Sequence, residues 1–409
     1  MSESFIAEAG RPASLTGVDR AVAADRAFAA ADLACEIVDS REGFLALRDD
    51  WDALFERSGK SHQLFQSFDW LRHWCRHYVW PDGTSRRCPL RIVVGRADGR
   101  VTVIWPLLLD HVFGMRRIGW MGEPVSQYGD VLVEDGPHKF AHLEESWRFL
   151  RQTLEPDLMV LRKVREDGEV AALLRKLDAD VACREQAPYA DLTDHRTFED
   201  YEARFSKKQR RNRRRQWNRL SEVGPLGFEI LESGEAARQA VKDATAMKRR
   251  WLRENGLISP AFADERLDAF FADVATARDR PSGCLVSVLK LGDRPVALEI
   301  GLLCKERYVA HIGAFDLEHA KLSPGALQMQ ETLRHCIEKR GVVYFDLLAP
   351  SSGYKRGWAE SAVQVSDFVV PMGAGGHLYA NLYLKRIRPG LKDALARLPA
   401  FATRLLPRA

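Results

Sequence analysis

The stretch from His311 to Trp358, HIGAFDLEHAKLSPGALQMQETLRHCIEKRGVVYFDLLAPSSGYKRGW, constrains the fold more than any other part of this chain. Val309 to Phe315 is apolar and β-prone, which predicts a buried strand. After a polar loop, Ser323 reads as a helix N-cap, Pro324 as the first helical position, and Leu322 with Leu327 as a hydrophobic staple. Ala326, Met329, Leu333, Cys336 and Ile337 recur at helical spacing, and Gly341 stops the helix. Val342 to Leu348 predicts a second strand, followed by the basic and aromatic turn Gly353-Tyr354-Lys355. A strand that feeds a helix in this way leaves backbone N–H groups free at the helix start. They suit an anion such as a pyrophosphate or a carboxylate.

The rest of the chain organises around this unit. Residues 34–195 mix strands such as Arg91 to Val94 and Val101 to Leu109 with helices at 67–79 and 141–154. Residues 225–375 repeat the mixture, with helices at 235–255 and 264–278, strands at 284–291 and 295–302, and a polar hairpin at Leu291-Gly292-Asp293-Arg294. The alternation predicts a mixed α/β (α+β) class in each half, and 409 residues suit two domains. Residues 1–33, Ala-rich with interspersed acids, read as a disordered leader, and residues 376–409 as a basic amphipathic tail. Two readings fit that tail, packing on the body of the protein or peripheral contact with an anionic membrane.

Composition narrows the class. Hydrophobic residues at 46% and charged residues at 29% fit a globular protein, and a net charge of +4 is too small to argue for nucleic acid alone. Seven cysteines, odd in number and without a CxxC pair, predict reduced thiols and a cytoplasmic location with no structural metal. No apolar run approaches the roughly 20 residues a membrane helix needs.

Between the halves, residues 196–224 hold a basic helix. Lys207, Lys208, Arg210, Arg211, Arg213, Arg214, Arg215 and Arg219 occur with no acid between Ser206 and Ser221, while Phe205, Trp217, Leu220 and Val223 form a partial apolar stripe. Two readings remain open. The arginines pair with carboxylates of both domains, or they bind an anion: CoA phosphates, an anionic polysaccharide, a cyclic dinucleotide or RNA. Other constellations carry less. His311 and Asp316 have an HxxxxD spacing, but strand alternation separates their faces. His73 and His77 lie one helical turn apart without a third ligand. Trp70, Trp74, Tyr78 and Trp80 lie at spacings that suit core packing as well as sugar stacking.

The Ser323-Pro324-Gly325 helix start, Phe345-Asp346, and Gly353-Tyr354-Lys355 with Trp358 together resemble the CelD/BcsL-like acetyltransferases of the GNAT superfamily, relatives of the Fem aminoacyl-transferases. Phe65-Gln66-Ser67 with Trp70, the segment Gly119 to Val133, and Pro188 to Leu192 ahead of Lys207 to Asn212 extend the resemblance over about residues 34–375. It implies tandem GNAT-like domains joined by the basic helix. The implied activity is acyl transfer from acetyl-CoA or another acyl-CoA to a cell-envelope polysaccharide or its sugar precursor. A Fem-like aminoacyl transferase and a non-catalytic binder of an anionic ligand are the alternatives.

Such enzymes work by direct attack, so positioning and oxyanion stabilisation dominate. Glu299 or Asp346 is expected as base or substrate anchor, Tyr354 as acid, and Lys355 as a donor ligand. Glu299 interrupts the apolar run Ala297 to Cys304, so its carboxylate is either paired or carries a raised pKa. Ser323, Gly325 and Lys321 are expected on the donor. Gln66, Trp70, Tyr128, Asp130, Arg210, Arg211 and Arg214 are expected on the substrate. The chain departs from the family's usual glycine-rich pyrophosphate loop at His319 to Gly325, where Pro324 removes an N–H donor.

Overall fold

The computed structural model describes residues 33–81, 88–277 and 282–381, so the leader and tail, apart from Leu33 and residues 376–381, lie outside the described residues. The strands are β1 (Ala34–Val38), β2 (Ile92–Ala97), β3 (Arg100–Trp105), β4 (Leu107–Val112), β5 (Met115–Trp120), β6 (Leu132–Val133) and β7 (Leu158–Arg165). They continue as β8 (Asp180–Asp191), β9 (Leu226–Leu231), β10 (Ser282–Leu291), β11 (Arg294–Cys304), β12 (Arg307–Phe315), β13 (Tyr344–Asp346) and β14 (Ser361–Pro371). One sheet has the order β1-β2-β3-β6, and a ten-stranded sheet runs β4-β5-β7-β14-β8-β13-β12-β11-β10-β9.

The two halves repeat one element order. Each begins with a strand (β1, β9) and helices, continues through an antiparallel pair (β2-β3, β10-β11), and reaches a long helix at Lys139–Leu154 or Pro324–Arg340. A strand (β7, β13), a short helix and a last strand (β8, β14) complete each half. The last strands cross over. β14 lies between β7 and β8, and β8 lies between β14 and β13, with Gln364 opposite Gln186 at the middle of their antiparallel register. The order β7-β14-β8-β13 therefore reads the same when the halves are exchanged. A continuous sheet joins the two halves, because each terminal strand finds partners for both edges only by entering the other half.

Side chains follow the same logic. Phe65 and Trp70 of the first half pack edge-on against Tyr128 and Phe270, respectively, and one core unites Phe44, Trp51 and Trp70 with Phe270, Phe271, Val286 and Ile300. The β10–β11 hairpin turns through Gly292 at φ 59° and Asp293, where the left-handed first position favours glycine. The second strand of the opening segment is shorter than expected. Only Tyr344–Asp346 pairs, because Leu347 donates instead to Pro188 O and Leu348 takes φ 62°. No helix among the described residues is long and apolar enough to cross a membrane. Of the seven cysteines, four are buried and three are partly exposed, all of them free.

Candidate functional site

β12 and β13 pair in parallel over three residues only, Arg307–Val309 with Tyr344–Asp346, and then part. Beyond Val309 no described strand pairs with the β13 side of β12, which leaves that edge without a ladder partner. β12 is also bulged there. Ile300 faces Ile312 while Gly301 faces Ala310, so His311 is the extra residue. Helix 324–340 starts at the far end of β12, and helix 207–221 packs beside that start.

Glu299 lies on β11, paired in register with this part of β12, and is 1% exposed. Tyr308 donates to its Oε1 at 2.7 Å, and Gln328 adds a second hydrogen bond while itself donating to Ser287 and Thr332 at 2.7 Å each. Burial pushes the carboxyl up to about 7, the two hydrogen bonds pull against that, and no cation offsets it. Two glycines shape the place. A Cβ on Gly301 would lie 1.9 Å from the Tyr308 hydroxyl, so only glycine lets Tyr308 reach Glu299. Gly313, exposed and opposite Glu299 in register, would place a Cβ 3.9 Å from Oε2, so no side chain separates the carboxylate from the strand's outer face.

The helix start holds the second group. Tyr354, on the short helix Gly353–Arg356, donates to Gly325 O at 3.1 Å. The residue is 48% exposed, yet its hydroxyl end is enclosed enough that burial, with the nearby Glu299 charge, pushes its pKa up. Tyr354 and Glu299 thus share one locale, as the sequence suggests. Ser323 differs from expectation. It adopts φ 56°, its side chain does not cap the helix, and its Oγ accepts instead from Gln216 at 3.2 Å. Pro324 has no N–H, and Ala326 and Leu327 both donate to Ser323 O at 3.0 and 3.3 Å. Gly325 N–H alone remains of the anion-binding set expected there. Lys321 is exposed nearby. Lys355 braces the turn, donating to Leu348 O (2.9 Å) and Pro350 O (3.0 Å), and burial lowers it to about 8.

Asp346 is the correction among the expected catalytic residues. It is fully buried, and its Oδ1 accepts from Tyr128 (2.8 Å) and Leu348 N (2.9 Å). Its Oδ2 accepts from Arg307 (3.1 Å) and Arg165 (3.4 Å). With both oxygens engaged and two guanidiniums beside it, Asp346 has no lone pair turned to a substrate and anchors one half to the other. The residues expected on the substrate in the first half are likewise internal. Gln66 donates to Tyr128 O at 3.0 Å and Trp70 to Ser126 Oγ at 2.9 Å. Asp130 accepts from Gln63 and from the N–H groups of Val131, Glu169 and Val170, and so caps helix 169–176. Burial still raises it to about 6.

The basic helix turns most of its cations to solvent. Arg211 and Arg214 are exposed and Arg210 half-buried, and among the described residues none of the three pairs with an acid. Pairing with both domains, one of the two readings of this helix, is therefore not what its arginines do. The helix is held by its Ser206–Gln209 capping box and by Trp217 and Leu220, while Val223 stays 56% exposed. His311 and Asp316 do not meet. His311 bonds Val125 O at 2.9 Å, and Asp316 pairs with Arg294. His77 bonds Asp273 at 2.8 Å.

Tyr308, Gln328, Gly301 and Gly313 escaped the sequence reading. The signal for them was two glycines interrupting apolar strands, which marks close approach of other groups. Comparison with known proteins adds a family match for part of the chain. The acetyltransferase (GNAT) domain family matches residues 207–356. FemX superposes with a TM-score of 0.55 at 12% identity, covering 82% of this chain and 98% of that one. A conserved protein of unknown function from Bacteroides thetaiotaomicron gives 0.50 at 14% identity, covering 82% and 100%. No curated protein matches the chain in sequence. At these identities the two structures speak for the fold, and residues 207–356 are similar to an acetyltransferase domain of the GNAT superfamily.

Proposed function

We propose that this protein transfers an acyl group from a pantetheine thioester to an amine or hydroxyl, with Glu299 as proton acceptor and Tyr354 as proton donor. The carrying observation is the unpaired, buried Glu299 beneath exposed Gly313, with the Tyr354 hydroxyl fixed on the start of helix 324–340. A carboxyl near 7 is divided between its two forms at neutral pH, so it can take the acceptor's proton as the nucleophile attacks. Tyr354, kept neutral by burial, can protonate the departing sulfur. The open β12 edge presents backbone groups that can pair with the amides of a pantetheine arm and hold the thioester at the bulge. The resemblance to the CelD/BcsL-like family supports a sugar of a cell-envelope polysaccharide, or its precursor, as acceptor.

Release of free thiol from an acetyl thioester, measured with amino-sugar acceptors, tests this reading. Glu299→Gln should lower kcat by about 10²–10⁴-fold and remove the acidic limb of the pH–rate profile. A variant with full kcat and an unchanged profile would remove Glu299 from the chemistry. The non-catalytic reading draws on the single free N–H at the helix start. It predicts that anionic ligands raise the melting temperature while no thioester is consumed.

A further inference from the structure

The chemistry above needs a thioester but leaves open what carries it, and the surface beside the site is informative. Lys207, Lys208, Arg211, Arg214, Arg215 and Arg219 are exposed along helix 207–221, and Arg210 is half-buried. None of the seven has an acidic partner among the described residues, whereas many arginines elsewhere on the surface are paired. Seven uncompensated like charges on four turns repel one another and weaken the isolated helix. Such an arrangement suits an anionic surface that supplies the missing charge from outside.

The helix is also fixed in register with the donor end of the site. Gln216 donates to Ser323 Oγ at 3.2 Å, and the 317–322 turn, which bears exposed Lys321, packs against it. Arg213 lies 3.8 Å from the Phe205 ring and 4.0 Å from the Trp358 ring, at the base of the Tyr354 turn. Whatever docks on the exposed face is therefore held at a set distance from Tyr354 and Gly325.

The helix start itself argues about the donor's phosphates. Free CoA carries a diphosphate that a GNAT-type helix start would hold with several N–H groups, whereas here only Gly325 N–H is available. A pantetheine arm esterified to a protein serine carries a single phosphodiester and needs fewer donors. We propose that the acyl donor is presented by a small acidic carrier protein on such an arm, and that the exposed cations of helix 207–221 with Lys321 are its docking surface. This rests on the acyl-transfer reading of the site. Val223, 56% exposed just past the helix end, supplies an apolar contact at the rim. A single-stranded nucleic acid fits less well. The aromatic rings near this helix, Phe205, Trp217 and Trp358, are buried or half-buried, and its exposed face offers none for base stacking. In the transfer, the acyl C–S bond breaks and a C–N or C–O bond to the acceptor forms. The acceptor's proton goes to Glu299, and the arm's sulfur leaves as a thiol with the proton of Tyr354.

The test compares three donors bearing one acetyl group, acetyl-CoA, acetyl-pantetheine and an acetylated bacterial acyl carrier protein, with the full chain and with Lys208→Glu/Arg215→Glu/Arg219→Glu. Those substitutions sit at exposed positions and relieve crowding, so the helix should persist, which far-UV dichroism verifies. The wild type should have a higher kcat/KM with the carrier than with acetyl-CoA. In the variant the carrier-to-pantetheine ratio of kcat/KM should drop about 100-fold. Direct titration with the fluorescently labelled carrier should show binding at low salt that weakens as salt rises and is lost in the variant. Preference for acetyl-CoA, an unchanged ratio, or no carrier binding at low salt overturns the proposal. Binding of tRNA or phosphatidylglycerol vesicles in place of the carrier overturns it in favour of those partners. Carrier binding with no thiol released from any donor would fault the acyl-transfer reading and leave the docking surface standing.

Discussion

Two buried carboxylates, 47 positions apart in the chain, have opposite surroundings. Asp346 sits where the halves meet, with Arg165, Arg307 and Tyr128 all donating to it. Glu299 sits one strand beyond β12 with only the neutral donors Tyr308 and Gln328. Both are essentially inaccessible to solvent, so depth does not distinguish them. Charge does. Two arginines make Asp346 a fastener between the halves, whereas burial without a cation raises the Glu299 carboxyl to about 7 and leaves it able to exchange a proton. The proposed role of Glu299 as proton acceptor rests on that difference.

The comparison can be broken in order of effect. Removing Asp346 should be the most damaging change. Asp346→Ala strands two buried guanidiniums and should cost about 3–5 kcal/mol in denaturant unfolding. A loss under about 1 kcal/mol would mean the network is not what joins the halves. Glu299→Gln should act in the other direction and only above acid pH. Because the folded carboxyl is raised from 4.5 to about 7, the wild type is favoured fully below pH 4.5 and loses that advantage as pH rises through 7. The variant has no such loss, and should gain about 3 kcal/mol relative to wild type between pH 4.5 and 8. A pH-independent difference between the two would refute the uncompensated burial. The smallest effects come from the tyrosines. Tyr128→Phe should cost about 1.5–3 kcal/mol of stability without moving the pH–rate profile. Tyr308→Phe removes a donor that lowers Glu299, so it should shift the profile's acidic limb upward. Equivalent behaviour of the two would erase the distinction between fastener and base.

Much of the architecture was legible from local chemistry. The strand ending at Phe315, the helix begun by Pro324 and closed by Gly341, and the hairpin at Gly292 all occur as read, since each depends on residues within a few positions. The crossing of β8 and β14 was not legible, because pairing partners 180 positions apart leave no local trace in either strand's pattern. The same limit misplaced Gln66, Trp70, Tyr128 and Asp130. Their polar atoms looked available for a ligand, yet each bonds within the fold to groups distant in the chain.

By itself the sequence determined where most helices and strands lie and that a basic helix separates two similar halves, and it singled out Glu299 and Tyr354 as candidates. Periodicity, caps and isolated polar residues are short-range signals, and they survive whatever the tertiary arrangement. Only the tertiary structure decided which carboxylate is free. Ion pairing depends on charges a few ångströms away in space, and the arginines that hold Asp346 come from β7 and β12. It likewise decided that the helix start offers one N–H instead of several, because Ser323 turned its carbonyl onto the next two donors. The basic helix shows the same division. Its charge is written in the sequence, but whether that charge is satisfied within the protein depends on which side chains surround it in space.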